Sequence, residues 1–132
     1  MRYIVDSDIL IYFLKKHPQV TQKFEATDPG QIGTTIINYA ELLFGAYNSA
    51  KVQQNLSSIK SFLETISIIN FDKNAGEIFA QLKTNLRKSG KVIADLDLII
   101  ASICLSNDFI LVTNNTKHFS RIEELKIENW SI

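Results

Sequence analysis

Short segments rich in β-branched and aromatic residues alternate along this chain with longer segments of helical periodicity. Strands are predicted at residues 2–6, 32–37, 66–71 and 109–113, with a fifth short strand expected near residues 126–128. Helices are predicted at residues 9–16, 18–26, 38–49, 51–65, 73–88 and 95–107. Strands that alternate with helices form parallel sheets covered on both faces, so the pattern predicts an α/β domain with a mainly parallel central sheet of four or five strands.

The length and composition are those of a single globular domain. The chain has 132 residues, of which 45% are hydrophobic and 21% charged, which is enough for one hydrophobic core. It contains no internal repeat, linker or low-complexity stretch, so one domain is predicted to cover residues 1–132. The only cysteine is Cys104, which excludes an internal disulfide and favours a reducing cytoplasm.

Charge and hydropathy narrow the functional classes further. Lysine plus arginine and aspartate plus glutamate both number 14, so bulk charge does not indicate a nucleic-acid-binding protein. No segment has the roughly 18 consecutive apolar residues that a membrane span needs. The apolar N-terminal segment carries Asp6 and Asp8, which a signal peptide would not tolerate. We therefore expect a cytoplasmic protein that has no contact with a membrane.

Polar side chains follow three of the predicted strands. The first strand ends at Asp6, the second runs into Asn38 and Glu41, and the fourth ends at Thr113 and is followed by Asn115. In open parallel sheets, ligands bind beyond the carboxyl ends of the strands. This position favours a functional role for Asp6, although an aspartate there also caps helices and forms turns.

Asp97 is the most informative acidic residue. On a helix over residues 95–107 it shares a face with Ala101 and Cys104, a face that otherwise belongs to the core. Burying an ionised carboxylate without compensation costs several kcal/mol, and a divalent cation at the start of the helix would compensate it. Asp95 is interpreted instead as the N-cap of this helix. Asp97 is therefore a predicted metal ligand.

The remaining polar residues at the strand ends allow two interpretations. The Asn38-x-x-Glu41 spacing resembles a helix capping box, whereas the position of Glu41 just after the second strand favours a functional role. Thr113 and Asn115 are suited to hydrogen-bond a water or a phosphate, and asparagine-rich strand ends are also ordinary turns. The residues alone do not decide between these alternatives.

Three carboxylates at one sheet edge have a clear chemical use. Asp6, Glu41 and Asp97 would hold one or two Mg²⁺ or Mn²⁺ ions, since both cations prefer oxygen ligands. Such ions activate a water and stabilise the leaving oxygen in phosphodiester cleavage. The two histidines, His17 and His118, are distant from these acids in sequence and are predicted to be surface residues.

Four segments, in order, resemble VapC-type toxins of the PIN-domain superfamily. They are VDSDILIYFLK, YAELLFGA, KVIADLDLIIAS, and LVTNNTKHFSRI with the later LKIENW. The resemblance implies a three-layer α/β/α PIN-like fold, divalent-metal-dependent cleavage of RNA such as tRNA, a homodimer, and neutralisation by a VapB-type antitoxin. It places Asp6, Glu41 and Asp97 in the metal site and Asn115 among the catalytic residues.

Two positions depart from the family pattern. Asn115 stands where many members have a fourth acid, so the site keeps a polar group but loses one charge, which argues against tight binding of a second metal ion. Asp8 stands where asparagine is usual, and either tunes metal affinity or caps the first helix.

Three other interpretations fit parts of the pattern. Asp6-Ser7-Asp8 matches the Asp-x-Asp motif of haloacid-dehalogenase-like phosphotransferases, in which Asp6 would be the nucleophile and Asp8 the acid/base. A receiver domain would use Asp72 and Lys117 but would leave Glu41 and Asp97 without a role. A binding module that keeps the PIN fold without catalysis is the third alternative.

Overall fold

The chain folds into five strands and seven α-helices in an alternating order. The structure is a computed structural model that describes residues 1–132. The strands are β1 (Tyr3–Val5), β2 (Ile32–Thr35), β3 (Ser67–Ile69), β4 (Ile110–Val112) and β5 (Ile127–Glu128). The helices are α1 (Ser7–Leu14), α2 (Pro18–Glu25), α3 (Ile36–Tyr47), α4 (Val52–Leu63), α5 (Lys73–Lys88), α6 (Asp95–Ser106) and α7 (Thr116–Phe119), with a short 3-10 helix at Pro29–Gln31.

The five strands form one sheet in the order β3-β2-β1-β4-β5, and every neighbouring pair is parallel. From β1 the chain builds the sheet outward through β2 and β3, then returns to the other side of β1 through β4 and β5. The strand order therefore reverses between β1 and β4. In parallel sheets, the crevice at such a reversal is where ligands bind.

Two hydrophobic cores lie on opposite faces of the sheet. Because successive strand residues point to opposite faces, Val5 belongs to the core packed by α1 to α4, and Ile4 belongs to the core packed by α5 to α7. Leu111 and Val112 on β4 divide in the same way. This arrangement confirms the predicted α/β/α layering and the parallel sheet, including its short fifth strand.

The helix boundaries differ from the predicted ones at functionally relevant places. The third helix begins at Ile36 rather than Asn38, which moves Asn38 from the helix start into its first turn. The four-residue helix α7 follows β4 in a segment where no helix was predicted. The predicted stop after α5 is confirmed, since Gly90 has a φ of 74°, a conformation that glycine adopts without strain. No helix has the length and apolar character needed to cross a lipid bilayer.

Candidate metal centre

Asp6 lies where β1 ends, and its carboxylate is held by three hydrogen bonds. Its side chain caps α1 by accepting from the Ser7 backbone N–H at 2.9 Å. The Thr113 hydroxyl donates to Oδ2 at 2.8 Å, and the Asn38 amide donates to Oδ1 at 2.9 Å. Asp6 is only 8% exposed. The neighbouring strands β1 and β4 thus position this carboxylate through Thr113.

Asn38 connects the second strand to this carboxylate. The capping-box interpretation of Asn38 with Glu41, one of the two alternatives for this segment, is wrong, because Thr35 is the N-cap of α3 and forms the box with Asn38. The Thr35 hydroxyl donates to Asn38 Oδ1 at 2.7 Å, which turns the Asn38 NH₂ group toward Asp6 and Ser7. Asn38 is fully buried, so its amide is a fixed donor of the site. The amide was not among the predicted site residues.

Glu41 lies one turn further along α3 and joins the same network. The Ser7 hydroxyl donates to Glu41 Oε1 at 2.8 Å, and the Asn38 amide lies 3.5 Å from the same oxygen. The chain therefore links Glu41 to Asp6 through two bridging side chains. Glu41 is half-buried, at the mouth of the site.

Asp97 is in the first turn of α6, which packs beside α3. Its side chain is 29% exposed, so it lies at the rim of the apolar helix face rather than inside it. Burial is the main cause of the raised pKa values of Asp6 and Glu41, and the charge of Asp97 adds to both shifts, so the three acids interact electrostatically. Asp95 does not have its predicted role, because Ala94 is the N-cap residue and Asp95 pairs with Lys83 at 3.0 Å.

Asp8 and Asn115 lie at the edge of this cluster of acidic residues. Asp8 accepts from the Asn114 backbone N–H at 3.1 Å and so joins α1 to the loop after β4. The Asn115 side chain is exposed and makes no capping hydrogen bond, although its backbone N–H donates to the Thr113 hydroxyl at 3.1 Å. No hydrogen bond from the Asn115 side chain to the acidic residues supports its predicted catalytic role, which stays a prediction.

His118 is placed differently from its prediction as a surface residue. It lies on α7 with its side chain 22% exposed, and its Nε2 atom is 3.1 Å from Oδ2 of Asp97. Residues 97 and 118 meet because α7, which follows β4, brings His118 back to the first turn of α6. No periodic pattern within either segment indicates this contact. His17 instead caps α2, accepting at Nδ1 from the Val20 backbone N–H.

The electrostatics of the cluster are those of uncompensated negative charge. Burial raises the pKa of Asp6 above its ordinary value despite the hydrogen bond from Thr113, and the charge of Asp97 adds to the effect. Burial is also the main cause of the raised pKa of Glu41, which the Ser7 hydrogen bond opposes. Burial and the neighbouring Asp6 charge raise the pKa of Asp8 to about 6.

This donor set fits a hard divalent cation. Carboxylate oxygens are the ligands that Mg²⁺ and Mn²⁺ prefer, and a cation would relieve both the burial cost and the mutual repulsion. The structure contains no group of three or more histidine, cysteine, aspartate or glutamate side chains that is already arranged around one metal position. The match between this site and a divalent cation therefore rests on the negative charge and the oxygen donors of Asp6, Glu41 and Asp97.

Asp8→Asn is expected to gain stability relative to the wild type as pH rises from 5 to 8. Because the pKa of Asp8 is raised, the folded chain binds its proton more tightly than the unfolded chain does. The wild type therefore loses stability as pH rises from about 4 through about 6, where the unfolded chain has released this proton and the folded chain has not, whereas Asp8→Asn has no proton to release. After allowance for solvent screening, the change between pH 5 and pH 8 is about 1 kcal/mol.

Urea unfolding of the two metal-free proteins at pH 5 and pH 8 measures this difference. Exposed Asp95→Asn is the matched control and should show no such trend. If the difference in unfolding free energy between wild type and Asp8→Asn is the same at pH 5 and pH 8, the environment assigned to Asp8 is contradicted.

The sequence and fold both match known proteins over almost the whole chain. The family model described as "PIN domain" matches residues 3–125. Ribonuclease VapC2 of Rickettsia felis is 36% identical over 132 residues, and Ribonuclease VapC2 of Haemophilus influenzae is 33% identical over 131 residues. Each match covers 98% of both chains. The tRNA(fMet)-specific endonuclease VapC of Shigella flexneri is 28% identical, with 99% of both chains covered.

Solved structures give the same result. The chain matches VapBC2 from Rickettsia felis, bound to a DNA fragment from its promoter, with a TM-score of 0.89 and 35% identity over 98% of this chain and 99% of that one. It matches VapBC-1 from nontypeable Haemophilus influenzae with a TM-score of 0.89 and 28% identity over all of both chains. The family match, the relatives and the shared fold agree: the chain belongs to the PIN domain family and, within it, to the VapC ribonucleases.

Proposed function

We propose that this protein is the toxin of a type II toxin–antitoxin system, an endoribonuclease that hydrolyses phosphodiester bonds of RNA with the help of Mg²⁺ or Mn²⁺. The single observation that carries the proposal is the acidic network at the β1–β4 crevice. In it, a buried carboxylate on Asp6 is fixed by Thr113 and Asn38 and shares its environment with Glu41 and Asp97.

The residues of the chain have distinct parts in this reaction. Asp6 and Asp97 would hold the cation, and Glu41 would contribute directly or through a water. The hydrogen bonds from Thr113 and Asn38 keep Asp6 in one orientation, so little reorganisation is needed when the substrate arrives. When bound, a divalent cation lowers the pKa of a water and offsets the charge of the phosphate.

Hydrolysis requires no covalent enzyme intermediate. The water oxygen bonds to phosphorus, one phosphorus–oxygen ester bond breaks, and the departing ribose oxygen takes up a proton. The phosphotransferase hypothesis, with Asp6 as nucleophile, is wrong because the chain is a PIN domain. The hydrogen bonds on both Asp6 oxygens also oppose nucleophilic attack by this carboxylate. The receiver-domain interpretation is wrong for the same family reason.

The partners follow from the relatives. Similar solved structures are toxin–antitoxin complexes, so we propose a VapB-type antitoxin as the protein partner. A groove of about 420 Å³ between α1, α3 and α4 is the candidate position, since Glu41 stands at its edge and Leu14, Leu42 and Ile59 line it. A partner in this groove would cover Glu41, the one acid of the site that lines it. Relatives named as tRNA(fMet)-specific endonucleases support tRNA as the RNA class, and a homodimer stays a prediction.

Removal of divalent cations is expected to abolish RNA cleavage. Without a cation, the carboxylates repel the phosphate backbone and nothing activates the water, so the loss should exceed about a hundredfold. The experiment incubates purified protein with total tRNA, with EDTA, and with EDTA followed by excess Mg²⁺ or Mn²⁺, and resolves the products on gels. Cleavage that persists unchanged in EDTA would refute metal dependence. Absence of cleavage under every condition would favour the non-catalytic module.

A further inference from the structure

The position of His118 is fixed by the core beneath it. Phe119, the next residue on α7, is fully buried in the core formed with α5 and α6. The Arg121 guanidinium donates to the Val92 carbonyl oxygen at 2.6 Å, which ties the chain after α7 to the segment before α6. These two anchors hold α7 against the first turn of α6. His118 therefore faces Asp97 because of the fold and not through a chance surface contact.

The Nε2 atom of His118 is a buried polar atom without a hydrogen-bond partner. It lies 3.1 Å from Asp97 Oδ2, yet the contact lacks the alignment of a hydrogen bond. A buried polar atom without a partner is unfavourable, because it has lost its hydrogen bonds to water and gained none in return. A cation placed beside both atoms would satisfy the imidazole nitrogen and the carboxylate together.

The separation of the two atoms suits a shared cation. Adjacent ligands of an octahedral ion, each about 2.1 Å from it, are about 3.0 Å apart. Burial raises the pKa of Asp6 and the charge of Asp97 adds to that effect, so a cation beside Asp97 would also act on the buried carboxylate of Asp6. Asn115, the residue expected from the family pattern to complete the site, has an exposed side chain.

We propose that His118 Nε2 is a nitrogen ligand of the divalent cation at this site, together with Asp97. This inference rests on the metal site of the proposed function and adds a ligand that changes its selectivity. Imidazole binds transition-metal ions better than it binds Mg²⁺, whereas carboxylates serve both. The site therefore prefers Mn²⁺ over Mg²⁺ more strongly than an all-oxygen site does, and the histidine takes up part of the role assigned to a fourth acid.

The test detects imidazole nitrogen at bound Mn²⁺ by electron spin-echo envelope modulation. The full-length chain without an affinity tag is loaded with MnCl₂ alone, and the chain contains only two histidines. We expect ¹⁴N modulation in the wild type and in His17→Gln, the matched control, and its loss in His118→Gln. In wild-type protein with ¹⁵N-labelled histidine, ¹⁵N modulation should replace the ¹⁴N modulation. This result would assign the nitrogen to histidine without the use of a variant.

Competition between the two cations gives a second measurement. Bound Mn²⁺ is displaced by increasing Mg²⁺ in the wild type and in His118→Gln. The ratio of Mn²⁺ affinity to Mg²⁺ affinity should be about tenfold or more lower in His118→Gln than in the wild type. Bound Mn²⁺ without nitrogen modulation, or modulation that survives in His118→Gln, overturns the ligand assignment. If RNA is still cut with Mg²⁺ in that case, only this inference fails. Failure to bind Mn²⁺ together with failure to cut RNA overturns both the inference and the proposed function.

Discussion

Asp6→Ala is expected to lower the rate of RNA cleavage by about three orders of magnitude or more, equivalent to about 4 kcal/mol of transition-state stabilisation. Asp6 is the most buried acid of the cluster and the only one that accepts hydrogen bonds from side chains on two other elements. Its loss removes the central carboxylate that the cation needs and leaves the donors of Thr113 and Asn38 without their acceptor.

The measurement is the initial rate of cleavage of end-labelled RNA, with folding checked by circular dichroism. Asp6 caps α1, so the alanine variant also loses about 1 kcal/mol of stability. Asp6→Asn removes the charge but keeps a side-chain oxygen, and it should be equally inactive. Asp95→Ala on α6 is the control, since its exposed acid pairs only with Lys83. Activity of Asp6→Asn near the wild-type level would eliminate Asp6 as a metal ligand.

Phe119→Ala is expected to lower the free energy of unfolding by about 3–5 kcal/mol, the usual loss for a fully buried aromatic ring. Phe119 is 0% exposed and is among the largest fully buried side chains. Its removal opens a cavity beneath α7, the short helix that carries His118. The variant should therefore also bind Mn²⁺ more weakly, because the anchor of the proposed nitrogen ligand is gone.

Urea unfolding followed by tryptophan fluorescence measures this loss. The control is Phe44→Ala on α3, whose ring is 70% exposed and whose truncation should change stability by no more than about 0.5 kcal/mol. A loss below about 1.5 kcal/mol for Phe119→Ala would mean that this ring does not anchor α7 as described.

The layout of the sheet and the position of Asp6 were predictable from local patterns. Strand and helix periodicities are properties of neighbouring residues, and the strand-end rule places Asp6 at the binding edge once the sheet is known to be parallel. The inward face of α6 similarly indicated Asp97, although the structure places its side chain at the rim.

Other features depend on contacts that no local pattern contains. The threonine at the end of β2, Thr35, takes the N-cap position of α3 in place of Asn38. The Asn38 amide is therefore free to donate to Asp6. His118 reaches Asp97 only through the packing of Phe119 into the core. The apolar residue after His118 was the one available signal that this segment turns inward.

We expect Asp6, Glu41 and Asp97 to bind one divalent cation together. Crystals grown with MnCl₂ and measured at the manganese absorption edge test it most directly. We expect an anomalous difference peak within about 2.5 Å of oxygen atoms of both Asp6 and Asp97. A fully occupied manganese peak elsewhere on the protein, with none between these two carboxylates, would contradict it.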